Sequence, residues 1–282
     1  MGSTVIRPID VCQLDREGVV CVFLVGDVLI DCGPASRVHT LLEALGDAQP
    51  RVIALTHIHL DHAGAVGTLV ERWPDTEVWV HERGAPHLVD PTKLLASATR
   101  LYGDDMERLW GEVRPVPQAN VRVLRGGETL DGFEVAYTPG HASHHLSYWH
   151  PDTRTAFVGD VAGVRIAPSS YVLAPTPPPD IDVEMWQDSI ARVRAWHPEQ
   201  LAITHFGSFA DVPEHLDAIE RSLLLAAQRA RELSVEEYVA ATRADIVADS
   251  DGRDAPVYAL GAPLEQTYAG LKRYWSKRED PR

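Results

Sequence analysis

Residues 19–31 read VVCVFLVGDVLID, two short apolar stretches split by Gly26-Asp27 and stopped by Gly33-Pro34. That pattern predicts a hairpin of two strands. Residues 38–45 read as a short helix, and after a polar turn residues 52–55 form an unbroken apolar run, as in a strand buried on both faces. A helix over 63–73 and a strand over 77–80 follow, the alternation expected of a buried sheet covered by helices. Prolines at 86, 91, 115 and 117 then bound an insertion, residues 83–117, with helical stretches at 93–102 and 105–110. Strands resume at 121–124, 133–138, 145–149 and 155–158, with tight connections at 126–132 and 150–154, a density of hairpins that predicts a second, largely antiparallel sheet.

The Pro-rich stretch 167–180 excludes regular structure and is long enough to wall or cover a pocket. A helix over 183–196 and a strand over 201–204 come next. Three helices follow at 213–231, 235–244 (capped by Ser234) and 263–277, with a polar surface linker at 249–256. The expected division is a main domain over 1–210, containing the insertion, and a helical appendage over 211–282.

Charge narrows the choice of partner. With 26 Lys and Arg against 41 Asp and Glu in 282 residues, the net charge is −15, which argues against nucleic acid and against a cationic membrane-surface protein. No apolar stretch reaches eighteen residues and the start lacks a basic, then apolar, leader, so a cytoplasmic protein is expected. Cys12, Cys21 and Cys32 are odd in number and widely spaced, as reduced thiols would be.

The 13 histidines direct attention to metal chemistry. His57, His59, Asp61 and His62 fall in one loop directly after the apolar run 52–55. One such histidine would read as structural, but four donors in six residues have no core role, because burying them unpaired is costly. His141 after Pro139-Gly140, Asp160 after Gly159 and His205 after Thr204 each also follow an expected strand. Donors repeated at strand carboxyl ends are what a site on one rim requires. His39, His81, His87, His150, His197 and His215 read as surface or turn residues. Met106 and Trp110, at helical spacing in the insertion, read as packing residues.

These residues carry a resemblance. The run His57, His59, Asp61, His62, the His141 of TPGH, the Asp160 of VGD, and His205 match in order the motifs of the metallo-beta-lactamase superfamily, in the style of its glyoxalase II-like and lactonase-like branch. Over residues 17–210, the chain resembles that family. The resemblance implies an α/β fold, a four-layer αβ/βα sandwich carrying the helical insertion and the C-terminal helical appendage. It further implies that His57, His59 and His141 hold one metal, that Asp61, His62 and His205 hold a second, and that Asp160 bridges them. Two divalent ions are expected, zinc first, with iron or manganese also compatible with these donors. Asp31 resembles the family's early Asp that supports the metal loop, and His145 its additional histidine beside the ligands.

The implied activity is hydrolysis of a small ester, thioester or lactone by a metal-bridging hydroxide. The alternatives are a glutathione thioester hydrolase or an iron-dependent persulfide dioxygenase, then a phosphodiesterase or beta-lactamase. The expected partner is a small molecule, with no nucleic acid and no membrane, and the C-terminal helices offer a surface for self-association. One departure stands out: the lactonase-like Tyr three residues after the bridging Asp is Gly163 here. Tyr171, Tyr102 or Arg165 is expected to replace it, so the expected catalytic set is Asp61, Asp160, His145 and Tyr171. The walls of the cleft are expected from apolar residues of the insertion and from Ile166, Tyr171, Val172 and Leu173.

Overall fold

Alternating short apolar runs and helical stretches give an α/β fold in a computed structural model that describes residues 4–249 and 255–279. The expected linker over 249–256 lies mostly outside these residues. Chain contacts group the protein into two units: residues up to Tyr137 with His144–Thr153, and Thr138–Ser143 with residues from Arg154 onward.

The first unit is built on a six-stranded mixed sheet in sequential order, β1 (Ile6–Asp10), β2 (Cys21–Val25), β3 (Val28–Ile30), β4 (Val52–Ala54), β5 (Glu77–His81) and β6 (Val121–Leu124). The first three are antiparallel and the remainder join in parallel. The Gly26-Asp27 turn closes β2 onto β3, pairing Val25 with Val28. Val52, Ile53 and Ala54 are wholly buried, as their unbroken apolar run requires. Connections carry the helices α1 (Val38–Leu45), α2 (Leu60–Ala63) and α3 (Val66–Arg72). The insertion forms α4 (Ala85–Val89), α5 (Thr92–Tyr102) and α6 (Met106–Trp110). Its Ala98 and Trp110 bury Leu60 of α2, and Tyr102 and Met106 pack on the same cluster. Three further strands, β7 (Thr129–Leu130), β8 (Phe133–Tyr137) and β9 (Leu146–His150), pair antiparallel; β7 lies inside the expected 126–132 connection, and β6, expected to open this antiparallel sheet, instead joins β5 in parallel. The Tyr148 hydroxyl donates to the Leu55 carbonyl at 2.8 Å and the Leu146 N–H to the Thr56 carbonyl at 2.7 Å, fastening β9 beside the end of β4.

In the second unit β10 (Thr155–Phe157) is parallel to β11 (Gln200–Ile203), which is antiparallel to β12 (Gly207–Phe209). Around them lie α7 (Val183–Ala195), α8 (Val212–Glu232), α9 (Val235–Asp249), α10 (Ala255–Gly261) and α11 (Leu264–Glu279). Asp182 caps α7 by accepting the Met185 N–H at 3.0 Å. Ser234 and Glu237 form a reciprocal capping box on α9. Contacts group the C-terminal helices with β10–β12, so the expected boundary at 210 does not coincide with the division into units. Gly140 has φ +132°, and a Cβ there would meet Trp186 at 2.4 Å, so the TPGH turn needs glycine to pass α7.

β1, β7, β12, α4 and α10 are elements the sequence pattern did not announce. β1 carries Pro8, which an edge strand accommodates. The three cysteines are unbridged; Cys21 and Cys32 are buried and Cys12 is half-buried. Among the described residues no helix is long and apolar enough to cross a membrane.

Candidate metal centre

In the first unit β4 ends at Ala54, and the chain then turns through Leu55–Ile58 into α2, whose N-cap position is His59. His57 and His62 are fully buried, while His59 and Asp61 are partly exposed. Asp31, buried and held at φ +55°, organises this loop. Its Oδ1 accepts the Thr56 N–H at 2.7 Å, and its Oδ2 lies 2.8 Å from both the Thr56 hydroxyl and His62 Nδ1.

A carboxylate is an acceptor only, so the Thr56 hydroxyl and His62 Nδ1–H both donate to Asp31. The Thr56 oxygen in turn lies 3.1 Å from His57 Nδ1 and accepts its proton. Both imidazoles thereby carry their proton on Nδ1 and present Nε2 as a lone-pair nitrogen, the arrangement that metal-binding histidines need. His57 Nε2 faces His59 Nδ1 at 2.9 Å, two ring nitrogens turned toward the same point.

The second unit repeats the device. His141, Asp160 and His205 are buried. The Pro175 carbonyl accepts from His141 Nδ1 at 2.8 Å, which leaves Nε2 toward Asp160 Oδ2 at 3.3 Å. His205 Nε2 stands 3.6 Å from the other oxygen, Oδ1. The Asp160 carboxylate thus lies between two imidazoles, one oxygen toward each. Within each unit the donors are all nitrogen and carboxylate oxygen, a set that suits zinc, iron or manganese.

His145 is buried with its ring 5.0 Å from that of His57 and nearly parallel to it. His144 lies in the same group: its Nδ1 is 3.5 Å from the Ile58 N–H and its ring 5.9 Å from that of His59.

Other expectations do not survive the packing. Tyr171 turns into a cavity between α8 and α9, lined by Ser222, Leu225, Arg229 and Asp245 among others, and none of the candidate ligands borders it. The reason is Asp249, whose carboxylate takes the N–H groups of Ser170 and Tyr171 and both serine hydroxyls of 169–170. Arg165 is engaged by Asp211 at 2.8 Å, by the Ser169 carbonyl and by the face of Phe209, and Tyr102 is packed on Trp110. Ile166, Val172 and Leu173 are core residues rather than cleft wall. Gly163 is itself structural: φ is +76°, and a Cβ would lie 2.7 Å from both Ile219 Cδ1 and the Leu173 carbonyl, so this backbone has no room for a tyrosine.

His81, His150 and His215, expected at surfaces or turns, are buried. His81 stacks on Tyr137, and the His150 ring meets Phe133 at a tilt of 56°. His215 donates from Nε2 to the Ala162 carbonyl at 2.8 Å and accepts from Arg165 at Nδ1, and burial pushes its pKa down to about 4. Because Ala162 ends the turn that carries Asp160, this histidine supports a candidate ligand through the backbone. Its place in a long amphipathic helix gave no signal of that role.

Known proteins bear on the same residues. The chain is 32% identical over 200 residues, 67% of its length and 72% of the relative's, to the metallo-beta-lactamase fold-containing protein ST1585 of Sulfurisphaera tokodaii. The solved structure of ST1585 superposes with a TM-score of 0.66 over 78% of this chain and 86% of that one, at 26% identity. A hydroxyacylglutathione hydrolase of Legionella pneumophila is 30% identical over 110 residues, 39% of this chain and only 33% of that enzyme. TTHA1623, solved in a di-iron-bound form, gives a TM-score of 0.52 at 25% identity, over 79% of this chain and 98% of that one. The family model described as the metallo-beta-lactamase superfamily matches residues 14–205, from β1's loop through the last candidate ligand, and the chain belongs to that superfamily.

Proposed function

We propose that the protein is a dinuclear metallohydrolase acting on a small ester, thioester or lactone. His57, His59 and His141 would hold one metal and Asp61, His62 and His205 the other, with Asp160 shared between them. The observation that carries this reading is the fixed tautomer: Asp31, Thr56 and the Pro175 carbonyl each take a histidine's Nδ1 proton and so present Nε2. When bound, the metals supply Lewis acidity and a water of lowered pKa. The protein's own share is to hold these donors rigidly and deprotonated, with Asp31 setting the tautomer of His62 and Asp160 spanning two imidazoles. The Legionella relative, named for an acyl-glutathione, supports a thioester within the substrate class. TTHA1623 supports iron beside zinc as the resident metal.

The test is elemental analysis of the purified protein, with a panel of lactone, thioester, aryl ester, beta-lactam and phosphodiester substrates and Asp160→Asn as control. Two metals per chain and carbonyl hydrolysis lost in the control are expected. No bound metal after reconstitution, or turnover retained by Asp160→Asn, overturns the proposal. Oxygen uptake with a persulfide in place of hydrolysis would assign the chain to oxidative chemistry instead.

A further inference from the structure

The turn that carries Asp160, residues 159–162, is held from two helices at once. From α7 the indole Nε1–H of Trp186 donates to the Val161 carbonyl at 2.8 Å, and from α8 the His215 Nε2–H donates to the next carbonyl, that of Ala162, also at 2.8 Å. Both side chains are buried, so each bond is shielded from water and fixes the backbone that aims the carboxylate. Neither helix stops at that turn. The Trp186 ring meets the His141 ring edge-on, centroids 5.4 Å apart, and Gly140 lies so close that a Cβ there would be 2.4 Å from the Trp186 Cα. One turn along α7, the Ser189 hydroxyl donates to the Pro139 carbonyl at 2.6 Å, the shorter of its two contacts. Thus α7 holds Asp160 and His141 together. The α8 side reaches the other neighbour: Arg165 donates from its side chain to His215 Nδ1 at 3.2 Å and from its backbone N–H to the His205 carbonyl at 2.6 Å. The Asp160 oxygens divide in the same way, Oδ2 toward His141 and Oδ1 toward His205.

We propose that Trp186 and Ser189 are positioning residues for the first metal, that of His57, His59 and His141, and that Arg165 and His215 are positioning residues for the second, that of Asp61, His62 and His205. The inference rests on the dinuclear reading and adds to it a division of labour: α7 governs the affinity of one metal and α8 that of the other. Asp160 is common to both, so the selectivity comes from the donor each helix holds alone, His141 for α7 and His205 for α8. None of the four positioning side chains is a candidate ligand. They act through backbone carbonyls, through the Arg165 N–H and through the edge of one imidazole, the kind of support that sets how well a ligand is aimed.

The test is titration of the metal-free full chain with cobalt(II), followed by visible absorption, with elemental analysis after dialysis for the stoichiometry. His59→Ala and Asp61→Ala, each lacking a ligand of one metal only, assign the spectrum of each site. In Trp186→Phe, affinity at the first site should fall about 10- to 100-fold, as for loss of a group that orients a ligand, and should fall less at the second. Ser189→Ala is a smaller change that keeps the indole; it should show the same preference, so the assignment does not depend on Trp186→Phe folding. His215→Leu should show the reverse preference, and His215→Gln, which keeps a donor for the Ala162 carbonyl, should restore the second site. With two cobalt ions in the wild type, equal losses at both sites, losses at the opposite site, or variants that bind as the wild type does overturn this inference and leave the hydrolase reading standing. A wild type that takes up fewer than two cobalt ions overturns both.

Discussion

Asp31→Asn separates the support of the metal loop from the ligands themselves. Three donors meet the Asp31 carboxylate: the Thr56 N–H at 2.7 Å, the Thr56 hydroxyl at 2.8 Å and His62 Nδ1 at 2.8 Å. Asparagine preserves the shape and tolerates the left-handed backbone at this residue, φ +55°, so strain does not enter. It replaces charged hydrogen bonds by neutral ones at a loss of about 1 kcal/mol each, about 3 kcal/mol in all for the metal-free protein. Its amide also places an NH₂ where Oδ2 received the His62 proton. His62 then accepts at Nδ1 and carries its proton on Nε2, the nitrogen proposed to bind the second metal. Loss of such a supporting hydrogen bond lowers metal affinity about 10- to 100-fold. Equilibrium dialysis with elemental analysis reads the stoichiometry, and urea denaturation of the metal-free protein reads the stability. An Asp31→Asn protein that binds both metals within about twofold of wild type, a margin below half a kcal/mol, refutes the tautomer argument.

Gly163→Ala should destabilise the fold by about 3 kcal/mol, through positive φ and the 2.7 Å approach to Ile219 and Leu173; a denaturation midpoint unmoved from wild type would count against that packing. His215 has a folded pKa of about 4 against an ordinary value of 6.5, so the unfolded chain binds the extra proton. Its contribution is complete above pH 6.5 and declines as pH falls toward 4, by about 3 kcal/mol at the low end. His215→Gln, which keeps a donor and an acceptor but does not titrate, should flatten stability across that window, and an unchanged pH profile would show that His215 is not the group responsible.

The candidate ligand residues were legible because each is a costly polar side chain in a segment that follows a short apolar run, and local order along the chain is enough to show that. The same held for α1, for the β2–β3 turn and for the cap at Ser234, whose interactions span at most a few residues. β1, β7 and β12 escaped because strands of five, two and three residues, the first broken by proline, owe their form to pairing rather than to their own pattern. Tyr171 was placed over the metals by nearness in sequence, whereas its backbone is held by Asp249, 78 residues away. His81, His150 and His215 carry no mark of burial in their local sequence, since the surfaces that cover them come from other elements.

The sequence by itself determined which seven side chains are the candidate donors and in what order they come. Which nitrogen each imidazole presents was decided only in three dimensions, because the tautomer follows the partner of the opposite nitrogen. That partner is Asp31 for His62, 31 residues earlier, and the Pro175 carbonyl for His141, 34 residues later.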